Sequence, residues 1–597
     1  MVDFVKLTLS VSGKGTFTNF KTMKRRNFIE VVSGGGGVLV AGSLLVPTTT
    51  QAALSGTDRA AADRELRADV VIAGGGLGGF GAALAALRNG LTVILTEETD
   101  WMGGQLSQQG VPPDEHPWIE THGAPQSYRD FRTDVRDYYK KYYPLTADAK
   151  ARVNLNPGDG SVSRLCHEPR VAHEVLMNTL TPYISSKKLT LLLEHKVTKA
   201  EVSGNQVKAL KVKNLRSGQE KVLTAPYFVD ATELGDLLPL TGTEFVTGTE
   251  SKNETGELHA PEIGNSANNQ AFTMCFAMDY VPGENNVIDK PREYDFWKSD
   301  VPKMTPPWPG TMLSLWYSTP NNPTVPKALG FHPEGIKTDA PLNLWNYRKI
   351  INKDNFLPGT YAGDVTIVNW PQNDYVLGDI VGVSEKIFNK HVERAKQQSL
   401  SLLYWLQTEA PRPDGGKGWP GLRLRGDLMG TEDGLAKYPY IREARRIKAL
   451  FTVLEEHVGF EQRAMVTGQK TGNTAADFYD SVGVGYYHID LHPSSAGINY
   501  VDFGSLPFQI PLGALIPQRV ENLLPANKNI GTTHITNGCY RLHPVEWSIG
   551  EAVGLLVTQC LSQKVPPRAI REDRQKLAAF QDFIRTQGIE THWPKSS

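Results

Sequence analysis

Four apolar residues, Val70 to Ala73, run into Gly74, and a short continuous run of that kind predicts a buried parallel strand. Leu77 to Asn89 is alanine-rich and predicts a helix ended by Gly90, and the β-branched stretch Leu91 to Thr96 predicts a second strand. Beyond a mixed, aromatic excursion at residues 112–165, which holds Tyr138, Tyr139, Tyr142 and Tyr143, Pro169-Arg170-Val171 opens a helix to about Leu180. An apolar run follows at Leu189 to Leu193. Val197 to Val202 and Val207 to Val212 predict a hairpin around Gly204-Asn205, and Tyr227 to Thr232 a strand that re-enters the sheet. Helical spacing recurs from Val383 to Leu406 and from Arg442 to His457, where Arg442, Arg445 and Arg446 read as a solvated or ion-paired helix face.

The first strand, helix and second strand are joined through Gly74, Gly76 and Gly79, the G-x-G-x-x-G spacing. The first glycine makes the tight turn, the second lets a diphosphate approach the backbone, and the third lets helix and strand pack. A dinucleotide then rests on the helix N-terminus, where free N–H groups and the helix dipole favour an anion. Glu97 ends the second strand where an acid can accept both ribose hydroxyls; it would repel a 2′-phosphate, which leaves FAD or NAD. A second glycine turn, Trp101-Met102-Gly103-Gly104-Gln105, follows at once and can lie along the same ligand without side-chain clash.

With 597 residues, the chain is long enough for at least two domains. Hydrophobic content of 40% and charged content of 21% describe an ordinary globular protein. Residues 1–52 hold six of the 63 Lys/Arg and two of the 64 Asp/Glu, so the remainder carries 57 against 62, a net of −5. That mild acidity gives no reason to expect nucleic acid as a partner. Cys166, Cys275, Cys539 and Cys560 are too widely spaced to indicate a zinc site or a disulfide framework, and no metal is expected. From Met23, the basic Lys24-Arg25-Arg26, a glycine-rich apolar run and small residues near Ala52 resemble a twin-arginine export signal. Such signals accompany proteins exported folded, often with cofactor bound. The expected product is periplasmic or secreted, with no stable membrane span after signal removal.

The run Val70 to Gly79, Glu97, the Met102-Gly103-Gly104-Gln105 turn and the late Val229 to Gly242 stretch together resemble the FAD-dependent oxidoreductases of the glutathione-reductase structural superfamily. The resemblance implies an α/β fold: a discontinuous, Rossmann-like FAD-binding domain with a second, α+β substrate domain. Ala231, Thr232 and Gly235 match the motif that closes the FAD domain, with Glu233 where many members have glycine, and Val197 is counted among the cofactor contacts. The C-terminal return, Asn522 to Ala526 and then Lys528 to Gly531, resembles the segment that brings the same family's chain back to the isoalloxazine; Arg541, Pro544, Gly550 and Ala552 match its R-x-x-P and G-x-A positions. Gly531, Gly550 and Glu551 are therefore expected at the cofactor. Asn527 replaces the usual glycine, and His543 precedes the proline. The expected divisions are residues 1–53, signal and upstream extension; 66–245, first part of the FAD domain, with an excursion at 106–165; 246–500, substrate domain; 501–562, FAD-domain return; and 563–597, C-terminal helix and tail.

His534, Arg541 and His543 fall within this flavin-facing return and are the expected catalytic residues. Histidine exchanges protons near neutral pH, and arginine stabilises a reduced flavin or holds a carboxylate. His167, His488 and His492 lie near motifs but have no spacing argument. The leading expectation is an exported FAD oxidase or dehydrogenase that takes hydride from a small-molecule substrate and passes electrons to oxygen, a quinone or a cytochrome. A reductase of an activated double bond and a flavin-carrying protein without turnover are the alternatives.

Overall fold

The computed structural model describes residues 65–594 apart from residues 337, 341 and 470; the expected export signal at 1–53 lies outside them. A five-stranded parallel sheet forms in the order Leu523–Pro525, Tyr227–Asp230, Val70–Ala73, Val93–Glu97, Leu189–Leu193. Every residue of its two middle apolar strands, Val70–Ala73 and Val93–Glu97, is buried, as a sheet covered on both faces requires. Asp69 sets their register: its carboxylate accepts from the Thr92 N–H and hydroxyl, each at 2.7 Å, and Val70 then pairs with Val93.

The helix Leu77–Arg88 follows the glycine turn and packs along the C-terminal helix His543–Gln563. Small residues make that crossing possible. A β-carbon on Gly550 would stand 2.0 Å from the Gly78 carbonyl oxygen, and one on Gly78 would stand 1.4 Å from that of Ala526.

A second, four-stranded sheet, ordered Glu65–Arg67, Glu220–Thr224, Gln206–Asn214, His195–Ser203, contains the expected hairpin. Val71, Ile94, Val197, Leu210, Leu223 and Phe228 form a shared core between the two sheets. A third, antiparallel sheet, ordered Lys349–Ile351, Val365–Val368, Phe276–Tyr280, Leu422–Leu424, lies in the middle of the chain. Its core joins Trp297, Trp345 and Trp370 to Leu402 and Leu406 of the helix Glu385–Thr408. The fold is thus mixed α/β, a Rossmann-like parallel sheet with a second α+β part.

Two stretches differ from expectation. Residues 442–454 are not helical: Arg446–Ile447 pairs with Phe245–Val246, and helix begins only at Glu455–Val458. The three arginines reach separate partners, Arg442 to the buried Asp374, Arg445 to Asp236 and Arg446 to Glu250, which one helix face cannot supply. The excursion holds a helix, Gln126–Tyr142, whose buried Tyr128, Phe131, Val135 and Tyr139 keep helical spacing among charged residues. Among the described residues no helix is long and apolar enough to cross a membrane.

Candidate active site

The glycine turn and Glu97 are tied together by backbone donors. The Gly75 N–H donates to Glu97 Oε2 at 2.8 Å, the Thr99 N–H to Oε1 at 2.8 Å, and the Gly103 N–H to the Gly75 carbonyl at 2.8 Å. Burial pushes the Glu97 carboxyl up to about 7 against these hydrogen bonds. Gly74, Gly76, Glu97, Val197, Ala231 and Thr232 line one cleft. Gly76 caps the helix Leu77–Arg88 with no side chain, and a β-carbon on Gly104 would lie 3.0 Å from the Gly76 Cα, so the two glycine turns face each other.

The residues around this cleft fit an FAD. Beside the turn, the fully buried Lys528 pairs with Glu233 Oε2 at 2.6 Å and Glu546 Oε1 at 3.3 Å. Glu233, the departure from the family pattern, turns its other oxygen towards Gly76, 2.8 Å from where a β-carbon would stand. Past the second turn, Gln105 Oε1 and both amide atoms of Gln109 are buried without a partner. Such atoms are expensive to leave unpaired, and a ring edge of alternating donors and acceptors answers them. Glu97 would hold the ribose, the backbone at Gly76 the diphosphate, and Gln105 and Gln109 the flavin ring.

Several expected cofactor residues make packing contacts, Gly79 in the helix–strand role its place in the spacing gave it. A β-carbon on Gly79 would meet the Gly74 carbonyl at 1.9 Å, so this glycine seats the helix on the strand. Gly531 packs on Ala449 and Phe451, Gly550 forms the helix crossing, and Gly235, at φ +66°, turns against Arg445. Glu551 accepts from the Ser127 hydroxyl, away from the glycine turns, and burial pushes its carboxyl up to about 7. Gly103, at φ +117°, presses on Leu176 and Ser107.

The turn leads on to a separate cavity. Gln105 Nε2 donates to the Arg541 carbonyl at 2.9 Å, and the Arg541 guanidinium donates to the Tyr440 hydroxyl and the Asp490 carbonyl, each at 2.9 Å. Tyr440 and Asp490 line a cavity of about 160 Å³, together with Arg348, Arg442, His488 and His492. The strand Ile489–Leu491 accounts for part of this wall, since its alternation sets His488, Asp490 and His492 on one side. His492 Nδ1 lies 2.6 Å from the buried Asp374, and its Nε2 lies 3.4 Å from Asp490. Burial opposes ionisation of Asp490, yet His492, Arg541 and His488 hold its carboxyl well below the usual carboxylate range. For His488, burial works against charge, and its bond to Asp502 together with the Asp490 and Asp502 charges raises its pKa.

Of the three expected catalytic residues, only Arg541 touches this wall. His534 Nδ1 is bound to Glu443 at 2.6 Å, and its N–H donates to Glu250. His543 is fully buried; its Nδ1 accepts from the Asp114 N–H at 3.1 Å, and burial pushes its pKa down to about 4. Neither lines the cavity. Arg348, Tyr440, Arg442 and Asp490 were missed. The His488-x-Asp490-x-His492 alternation signals Asp490, and Arg442 stands in the arginine cluster read as a helix face.

These features define a flavin-binding α/β enzyme. The chain belongs to the FAD-dependent oxidoreductase family, whose sequence profile matches residues 69–584. It is an FAD-dependent oxidoreductase enzyme. No curated protein has a matching sequence. Among solved structures, FrdA of E. coli quinol fumarate reductase is similar at 12% identity over 88% of this chain and 74% of its own, with a TM-score of 0.30. A glycerol-3-phosphate dehydrogenase from Bacillus halodurans matches at 14% identity over 37% of this chain and 42% of its own, with a TM-score of 0.22. An L-proline dehydrogenase from P. horikoshii matches at 18% identity over 32% of this chain, with a TM-score of 0.17. That last overlap spans 26% of the proline dehydrogenase, about a quarter of its length.

Proposed function

We propose that the protein is an exported oxidase or dehydrogenase that removes hydride from a small organic substrate and passes electrons to oxygen, a quinone or a cytochrome. One observation carries the reading: the cavity wall is hydrogen-bonded, through Arg541 and Gln105, to the turn that meets the cofactor cleft. Bound FAD supplies a hydride acceptor at N5. The cavity holds the substrate. His492 is the group placed to exchange a proton with the substrate: Asp374 holds its Nδ1 at 2.6 Å, its Nε2 lies 3.4 Å from Asp490, and the ring itself borders the cavity. Arg541 pins Tyr440 and Asp490 and so positions the wall. Twin-arginine export supports a non-nicotinamide acceptor, because free NAD(P)H is not expected outside the cytoplasm.

Anaerobic mixing with amines, alcohols, sugars and acids tests this. A true substrate bleaches the flavin, oxygen or a dye restores the colour, and NADH bleaches it poorly. His492→Gln should keep FAD and be reduced about 10²–10⁴-fold more slowly, the usual loss for a proton-transfer group. Parental reduction rates in that variant would remove His492 from the role; efficient bleaching by NADH would overturn the electron route.

A further inference from the structure

The cavity is richer in donors than in free acceptors. Asn369 lines it, and its Oδ1 is taken by Arg442 at 3.2 Å, so the amide orientation is fixed and Nδ2 is the end left over. That Nδ2 is buried and has no partner, and neither do the Nε atoms of Arg348 and Arg442. Of the acidic groups, Asp490 pairs with Arg541 at 3.3 Å and Asp502 with His488 at 3.0 Å, while Asp114 lies 3.3 Å from Arg348 and keeps, in its Oδ1, the one acceptor among these unpartnered atoms. Tyr347, Tyr487 and Tyr500 add hydroxyls to the wall. Burial pushes Tyr347 up to about 12 and the other two well above the ordinary tyrosine range, so all three keep their protons as donors. Leu329, Leu344 and Trp370 supply an apolar side.

We infer that this cavity takes a carboxylate-bearing substrate, whose anionic head accepts from Asn369 Nδ2 and the tyrosine hydroxyls near Arg348 and Arg442 and whose carbon skeleton lies on Trp370 and the leucines. A buried donor without a partner costs free energy, and a carboxylate is the acceptor that repays donors held beside two guanidiniums. A neutral amide satisfies fewer of them and brings donors of its own. The inference rests on the oxidoreductase reading for the word substrate, but binding can be read without turnover.

Benzoate and benzamide, equal in size and differing in charge, are the probes. Each is titrated into the FAD-loaded protein and followed by the shift of the flavin bands and by tryptophan fluorescence. Benzoate should bind at least about tenfold more tightly than benzamide. Asn369→Asp keeps a partner for Arg442 and turns the free donor into an acceptor; it should retain FAD, lose benzoate at least tenfold and change benzamide little. Tyr347→Phe, which removes one hydroxyl and keeps the ring, should weaken benzoate severalfold. Equal affinity for the two probes, or benzoate binding unchanged in Asn369→Asp, overturns the inference. Selective benzoate binding in a protein whose flavin no carboxylate bleaches would sink the oxidase reading and leave the binding site standing.

Discussion

Glu97 is where cofactor affinity and pH meet. Its carboxyl is raised from 4.5 to about 7 by burial, so in the FAD-free protein the fold favours the protonated form. Stability from this group is full below pH 4.5 and is lost as pH rises through about 7, because over that window the folded state binds the proton more tightly than the unfolded state does. Asp230, Glu257 and Glu546 are raised to about 7 by burial as well and push stability the same way. Ribose hydroxyls donate to an ionised carboxylate, so FAD binding must draw the proton off Glu97. Affinity for FAD should therefore rise between pH 6 and pH 8, by at most about tenfold per pH unit. Glu97→Gln should bind FAD more weakly and flatten that rise; the same slope in both proteins, measured by quenching of flavin fluorescence, would sink the assignment. Gly76→Val should lose cofactor outright, since its β-carbon meets Glu233 and fills the approach to the turn.

At the scale of elements, the crossing of Leu77–Arg88 with His543–Gln563 carries the cleft. The carbonyl of Ala526 stands against Gly78, one residue before Asn527 and Lys528. Gly550→Val should force the two helices apart, cost about 1–3 kcal/mol or more, and shift Lys528 relative to the glycine turn. A lower thermal midpoint together with earlier flavin release is expected, and an unchanged midpoint would mean the crossing is slack. The elements around this crossing were legible because their signals are local: apolar runs for the strands, Gly90 after the helix, Gly204-Asn205 in the hairpin. The helix Gln126–Tyr142 was not, because Arg132 and Arg136 interrupt its apolar stripe and are buried against Glu115 and Glu120. Periodicity misled at residues 442–457 for a related reason. Pairing of arginines with carboxylates far along the chain, Asp374 for Arg442 and Asp236 for Arg445, is invisible to any window of neighbouring residues. The cavity shares that property. Its wall draws on residues from Asp114 to Asp502, and short pieces such as Tyr347-Arg348, Asn369 to Pro371 and the His488 to His492 alternation meet only in the folded chain.

Across the whole molecule, the cofactor cleft exists only once nearly all of the chain has folded. Gly74, Gly76 and Glu97 come from the first strands, Val197 from the hairpin, Thr232 and Glu233 from the third segment, and Tyr438 from the middle of the chain. Lys528 closes the group from the last strand's end. An unfolded precursor threaded through a membrane would present no more than fragments of this site, and FAD would have to be captured afterwards outside the cell. We propose instead that the chain folds and loads FAD before export, which is the situation a twin-arginine signal serves, and Arg25-Arg26 stands where such a signal places its pair. Replacing both arginines by lysine should leave a folded, yellow precursor in the cytoplasm, while the parent is recovered outside it with FAD bound. Gly76→Val tests the coupling from the other side: with no cofactor to load, its export should fall even though the signal is intact. Export of the double-lysine variant at the parental level, followed by cell fractionation, would assign residues 23–52 to another kind of targeting segment.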